Sequence, residues 1–232
     1  MAEIDIKKEY YEDGTLKSEI PYENGKKHGI EKHYHRNGNL KAEWPYKDGV
    51  PHGVGKSYYE NGNLDSEMTC ENGKTQGVAR LYDEFEGYVW SETTYKDNKR
   101  HGFSRIYAPD GSIEIETLYE NGEMCGENWY YKNGKLETET PYKKSMRHGV
   151  SKGYYESGAL KSEAPHENNM RQGTTKIYNE NGDIIMEILF KDDEIQSATC
   201  TNGKQLTNAH IHKIQQHEYF IDEAIKIYNE LS

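Results

Sequence analysis

A glycine recurs down this chain at intervals of 24, 24, 25, 24, 23, 24 and 24 residues, at Gly14, Gly38, Gly62, Gly87, Gly111, Gly134, Gly158 and Gly182. A period of this length means a stack of small structural units, each burying its apolar surface against its neighbours. Five residues after every one of these glycines stands a glutamate, from Glu19 and Glu43 through to Glu187. Two residues after each is a branched aliphatic, such as Leu16, Leu40 and Ile184, and a tyrosine precedes each, as Tyr10, Tyr34 and Tyr58 do. A further ring follows eight residues on in most units, with Cys70 and His166 as exceptions.

Each unit carries a second turn signal, as at Asn24-Gly25, Asp48-Gly49, Asn72-Gly73 and Asn121-Gly122, followed by His-Gly or Gln-Gly. Asn-Gly between alternating segments is the strongest short-range hairpin signal, because both central residues of a type I′ turn need positive φ. Two turns in 24 residues leave room for two strands and no helix. The fold class that follows is an all-β repeat protein: an elongated, single-layer antiparallel β-meander of about eight hairpin repeats over residues 1–195. That predicts roughly sixteen strands stacked over something like 75 Å. Pro21, Pro45, Pro141 and Pro165 mark strand ends or breaks in the ladder.

Residues 196–232 hold a last turn and a segment of helical period, in which Ile214, His217, Ile221, Ala224, Ile225, Tyr228 and Leu231 recur at steps of three and four. One amphipathic capping helix is expected from about Thr207, with Thr207 or Asn208 as N-cap, closing the last strand edge or apolar face.

The invariant glutamate has a structural explanation. If the turn is a two-residue loop, Lys8 faces Glu19 and Lys32 faces Glu43, and the same basic slot recurs at Lys56, Arg80, Arg105, Lys152 and Lys176. Such pairs contribute about 0.2 to 1 kcal/mol each and fix register by repetition. The sixth unit has Asn128 in that slot, so Glu139 should lack its cation. A three-residue turn with a bulged glycine would shift the pairing by one and remove the explanation.

Charge and chemistry narrow the functional classes. With 40 acidic against 29 basic side chains, the net charge of -11 disfavours nucleic acid and anionic membranes and suits a basic protein partner. The opening residues include acids and no apolar run, so no secretory leader is expected and the protein is placed in the cytoplasm. Cys70, Cys125 and Cys200, odd in number and far apart, fit reduced packing thiols. His210 and His212, two apart on a helix, diverge rather than share a metal. Equivalent glutamates facing lysines offer no separated acid and base. Neither an enzyme, a cofactor nor a metal is expected.

The unit Gly-x-x-x-x-Tyr-Tyr-x-Asn-Gly-x-Leu-x-x-Glu-x-x-Tyr-x-Asn-Gly-x-x-His-Gly, read from Gly29 to Gly53 and again from Gly53 to Gly77, resembles the bacterial variant of the MORN repeat. The resemblance implies a non-catalytic binding module. Bacterial proteins similar to it, the YwqK type among them, are commonly assigned as antitoxins or immunity proteins that neutralise a toxin by direct binding. Eukaryotic relatives imply a scaffold or peripheral membrane contact instead, and a glycan- or peptide-binding module is a further alternative.

Departures from the repeat point to the partner face, because the stack itself does not require them. The fourth unit replaces its regular turn with a longer, aromatic one over Asp83–Trp90. Phe85, Tyr88 and Trp90 there, with Trp44 and Trp129, are the candidate partner-binding residues, being the residue types that dominate interface hot spots.

Overall fold

The computed structural model describes residues 4–217 and 219–231. These form 21 strands, antiparallel in every described ladder, followed by two helices. Residues 1–3, at the head of the expected repeat region, lie outside the described residues. The chain divides into two compact units, Met1–Ile113 with Tyr119–Gly122, and Glu114–Leu118 with Glu123–Ser232.

The first unit begins with β1 (Ile4–Tyr10), β2 (Leu16–Glu23), β3 (Lys26–Lys27), β4 (Gly29–Tyr34) and β5 (Leu40–Lys47). Its two kinds of turn differ. Between β2 and β3, Asn24 and Gly25 have φ of 51° and 74° and Glu23 pairs with Lys26, which is the two-residue type I′ geometry that the Asn-Gly signal demands. Between β1 and β2 the turn is wider. Tyr11 N–H donates to the Thr15 carbonyl at 2.8 Å, Gly14 N–H donates to the Tyr11 carbonyl at 3.0 Å, and Tyr10 pairs with Leu16. That width alone would displace the register by one. A bulge at Glu9/Tyr10 restores it, so Lys8 does lie opposite Glu19. Lys32 opposite Glu43 and Lys56 opposite Glu67 repeat the arrangement.

The strand count exceeds the expected sixteen, and proline explains most of the excess. Pro21, Pro45, Pro141 and Pro165 sit inside strands, and each lacks the N–H that its returning neighbour needs. That neighbour is split at His28-Gly29, His52-Gly53, His148-Gly149 and Gln172-Gly173. The residue before each glycine donates its N–H to the proline carbonyl, as His28 does to Pro21 at 3.0 Å. Where the slot holds another residue, as in the strands Lys74–Tyr82 and Lys99–Tyr107, the returning strand is continuous.

One face of the first unit is built from small side chains. Ser18 and Ser91 are buried on it, and Glu31 is buried with Lys27 and His33 bonded to its two oxygens at 2.6 and 2.8 Å. The second unit presents a similar face, with Thr117, Asn128, Ser162 and Thr175 buried.

The second unit also contains the apolar core. Ile177, Met186, Ile188, Phe190 and Cys200, from the strands Gly173–Tyr178, Ile184–Lys191 and Glu194–Cys200, meet Ile214, Ala224 and Ile227. In Ile184–Lys191 the buried residues Met186, Ile188 and Phe190 alternate with exposed Glu187 and Leu189, so the helices cover one face of this end. The single helix expected is in fact two, α1 (Asn208–Gln216) and α2 (Phe220–Leu231). Thr207 is the N-cap of α1, its Oγ accepting from His210 N–H at 3.2 Å. His217 then adopts extended backbone, φ -80° and ψ 130°. Breaking there lets Ile214 and Ile227 seat in the same core.

Candidate partner-binding surface

The turn of the fourth unit is displayed and fastened at once. Asp83 Oδ1 accepts the N–H groups of Phe85 and Glu86 at 2.9 and 2.8 Å, and Asp83 N–H donates to the Tyr88 carbonyl at 2.9 Å. Asn61 and Asn63, one repeat earlier, donate their amides to the Glu84 carbonyl at 3.0 and 2.8 Å. The ring of Phe85 is left 79% exposed on this pinned loop, in a stretch of sequence with Asp83, Glu84 and Glu86. An exposed aromatic on a loop already ordered by hydrogen bonds loses little entropy on binding.

Trp90 stands just beyond the turn, 37% exposed, within a bulge between Val89 and Ser91. The bulge interrupts the alternation, and in the equivalent slot of another repeat Asp65 turns to the small-residue face, where Ser57 donates to it at 2.6 Å, so Trp90 belongs with Ser91 rather than with Glu92. Two structures lie along the opposite face, that of Glu92. The first is the charge ladder, in which each ladder carboxylate of the first unit lies between two cations. Glu19 sits opposite both Lys8 and Lys32, and Glu67 opposite both Lys56 and Arg80. Each glutamate also accepts the phenol of the following unit: Tyr34 to Glu19, Tyr58 to Glu43, Tyr82 to Glu67 and Tyr107 to Glu92, at 2.8 to 2.9 Å. The hydrogen bonds of Lys8 and Tyr34 hold the Glu19 carboxyl below its usual range. At Glu67 and Glu92 burial works the other way, but the bonds from Tyr82 and Arg80, and from Arg80 and Tyr107, outweigh it. Burial and the facing carboxylate push the phenols of Tyr34 and Tyr58 up to about 12. The ladder glutamates of the first unit are therefore satisfied within the sheet.

The second is an apolar column that the repeat alignment overlooks. The slot two residues before each ladder cation holds Ile6, Ile30, Val54, Val78 and Phe103 in the first unit, each 36% to 52% exposed. In most units the signal in the sequence was the aliphatic or aromatic residue right after the His-Gly or Gln-Gly pair; it was masked because Glu127 and Thr174 interrupt it in the second half.

The five sequence-predicted residues are not one cluster. Phe85, Tyr88 and Trp90 are together. Trp44 lies on the small-residue face, flat against Gly55, where an added Cβ would be 2.2 Å from its ring. It fills a packing slot. Trp129, in the second unit, lies opposite Glu139. That pairing corrects the expectation for Asn128. The sixth unit's turn is a true two-residue Asn133-Gly134 loop, with φ of 51° and 72°, which moves Trp129 into the cation slot and buries Asn128 on the other face. Glu139 does not lack a cation either, because Lys152 of the next unit reaches it at 2.8 Å and Tyr154 at 2.9 Å.

The second unit has an open cavity of about 500 Å³ beside the start of α2, lined among others by Thr138, Arg147, His166, Arg171 and Phe220. Burial and then the nearby Arg147 push the His166 imidazole down. None of the five predicted residues lines it. Among the described residues no three His, Cys, Asp or Glu side chains gather as metal ligands would.

Comparison with curated proteins finds no match. The family model described as the MORN repeat variant matches residues 6–24, 27–48, 51–72, 126–144, 147–168 and 171–192, more than half of the chain. Each match holds a strand, a turn and the glutamate-bearing strand that follows, as β1 and β2 do for residues 6–24; the turn is wide except in 126–144, where it is the two-residue Asn133-Gly134 loop. The unmatched span between 72 and 126 contains the displayed Phe85 turn. MORN repeats are generally a non-enzymatic repeat module and are consistent with protein binding. With hairpins, ladder and family model in agreement, the chain belongs to the MORN repeat variant family.

Proposed function

We propose that this protein is a cytoplasmic immunity protein or antitoxin that neutralises a basic protein toxin by binding it directly, with Phe85, Tyr88 and Trp90 as anchors. The observation that carries the reading is the Phe85 turn: an aromatic ring 79% exposed, on a loop locked by Asp83, Asn61 and Asn63, in an acidic stretch of sequence. A desolvated aromatic supplies affinity, and the carboxylates of that stretch supply attraction and orientation toward a cationic surface. The net charge of -11 extends that attraction beyond the contact itself.

The test is co-expression with the product of the neighbouring gene in a host whose growth that product arrests. The wild-type chain restores growth and co-purifies with the product as a stoichiometric complex, and Phe85→Ala with Trp90→Ala abolishes both. A neighbour that is harmless, or that is neutralised equally by the double variant, overturns the proposal.

A further inference from the structure

In the interior of the first unit, the strands that carry Lys32, Lys56 and Arg80 each have a glutamate-bearing strand on both sides. Lys32 in β4 lies between Glu19 and Glu43, and Tyr34, two residues on, donates to Glu19 at 2.8 Å. The same pair of contacts to the preceding glutamate is made by Arg80 with Tyr82 and, in the second unit, by Lys152 with Tyr154. β1 is a strand of this type, with Lys8 and Tyr10 in the equivalent places. Among the described residues it is paired only with β2. Among the described residues Lys8 reaches Glu19 at 2.8 Å and no second carboxylate, and Tyr10 is 58% exposed. Tyr34 also has its carbonyl capped by the Tyr11 phenol of the preceding unit at 2.7 Å, and the Tyr10 carbonyl has no such cap among the described residues.

We infer that the outer edge of β1 is a binding site for an extended peptide segment bearing a glutamate, which adds as an antiparallel strand with its carboxylate between Lys8 and Tyr10. Backbone hydrogen bonds along Ile4–Tyr10 supply the general affinity of strand addition, and the Lys8/Tyr10 pair selects the acidic side chain and fixes register. The repeat itself defines this occupant, because its interior copies show what such an edge holds. A second copy pairing antiparallel through its own β1 sets Glu9 opposite Lys8 only in the register that also pairs Lys7 with Tyr10, which joins no more than residues 7–10 of each strand, a shorter ladder than an added peptide strand makes along Ile4–Tyr10. Nor can a second copy lend a glutamate strand readily, because strands such as β2 and β5 are paired on both edges. This site is separate from the Phe85 turn and stands without it.

The probe is a synthetic peptide, Val-Trp-Ser-Glu-Thr-Thr-Tyr-Lys, the sequence of residues 89–96, titrated to low-millimolar concentration into the ¹⁵N-labelled full chain. The expected result is saturable shifts of the Ile4–Tyr10 amides, with binding weakened about tenfold or more when the peptide carries Glu92→Gln and several-fold in the Tyr10→Phe protein. Lys8→Glu should reject the parent peptide and accept the one carrying Glu92→Lys. That reversal separates recognition from a damaged fold. No shifts in β1, shifts that do not depend on the peptide's carboxylate, or failure of the charge exchange overturns the inference.

Discussion

The phenol of Tyr34 donates to the carboxylate of Glu19 at 2.8 Å across the boundary between successive repeats. Tyr154 to Glu139 and Tyr178 to Glu163 repeat the bond in the second unit, always fifteen residues apart in sequence. Lys8 pairs within its own hairpin, while the tyrosines, with cations such as Arg80 and Lys152, tie one hairpin to the preceding one. This explains why tyrosine rather than phenylalanine holds that place: the ring covers the sheet and its hydroxyl satisfies a carboxylate that burial would otherwise penalise.

Tyr58→Phe should therefore lower thermal stability by more than the loss of an exposed hydroxyl would, by about 1.5 kcal/mol, because a bond to a charged group is removed and Glu43 keeps only its cations. Pairing it with Glu43→Gln should give less than the sum of the two single losses. Thermal unfolding of the four proteins checks this.

Stability should depend on pH at both ends. Glu19, Glu67, Glu92 and Glu139 have carboxyls lowered in the folded state, so their contribution is complete above the normal carboxylate range and is lost as pH falls through their depressed values. Tyr34, Tyr58 and Tyr178 are raised to about 12, so their contribution is present below the normal phenol range near 10 and is lost as pH climbs toward 12. Denaturant unfolding across pH should give a plateau with losses on both sides, and the alkaline limb should shrink in Tyr→Phe variants.

Gly55→Ala should destabilise the fold by about 1 to 3 kcal/mol, the usual range for overpacking, because the new methyl would fall inside contact distance of the Trp44 ring. The Trp44→Ala background should remove most of that penalty. Since Trp44 is a packing residue in this account, Trp44→Ala should also leave partner affinity unchanged at temperatures where the protein is folded.

Much of the fold was legible in the sequence because each repeat writes the same chemistry again. Positive φ at Asn24-Gly25 and its counterparts and the N-cap at Thr207 follow from local rules, whereas the Lys8–Glu19 opposition is met only because a bulge offsets a turn wider than two residues. What escaped depends on contacts between units or on single-residue offsets. The bulge at Glu9/Tyr10 leaves no mark in composition, and the one-residue shortening of the sixth unit changes which of Asn128 and Trp129 faces Glu139. The break at His217 is fixed by the tertiary core that Ile214 and Ile227 share, which an unbroken helical period conceals. At the candidate surface, aromatic departures from the repeat single out Phe85, Tyr88 and Trp90 around one turn, and the same criterion also selects Trp44, which packs against Gly55.

The helical pair should matter most to the last hairpins. Ile227→Ala removes a side chain only 1% exposed, in contact with the Met186, Ile188 and Phe190 cluster, and should destabilise this end by about 2 to 5 kcal/mol. Deleting residues 207–232 should uncover that cluster altogether and produce oligomers or precipitate, read by light scattering; a soluble, monomeric truncation would assign the helices another role.

The most direct test of the account is the kinetics of partner binding, measured for the wild type, Phe85→Ala and Trp90→Ala at low and high salt. Each alanine should weaken binding by about 2 kcal/mol or more through faster dissociation, while salt slows association and leaves dissociation nearly unchanged. Wild-type affinity in both variants, together with association that is indifferent to salt, would contradict it.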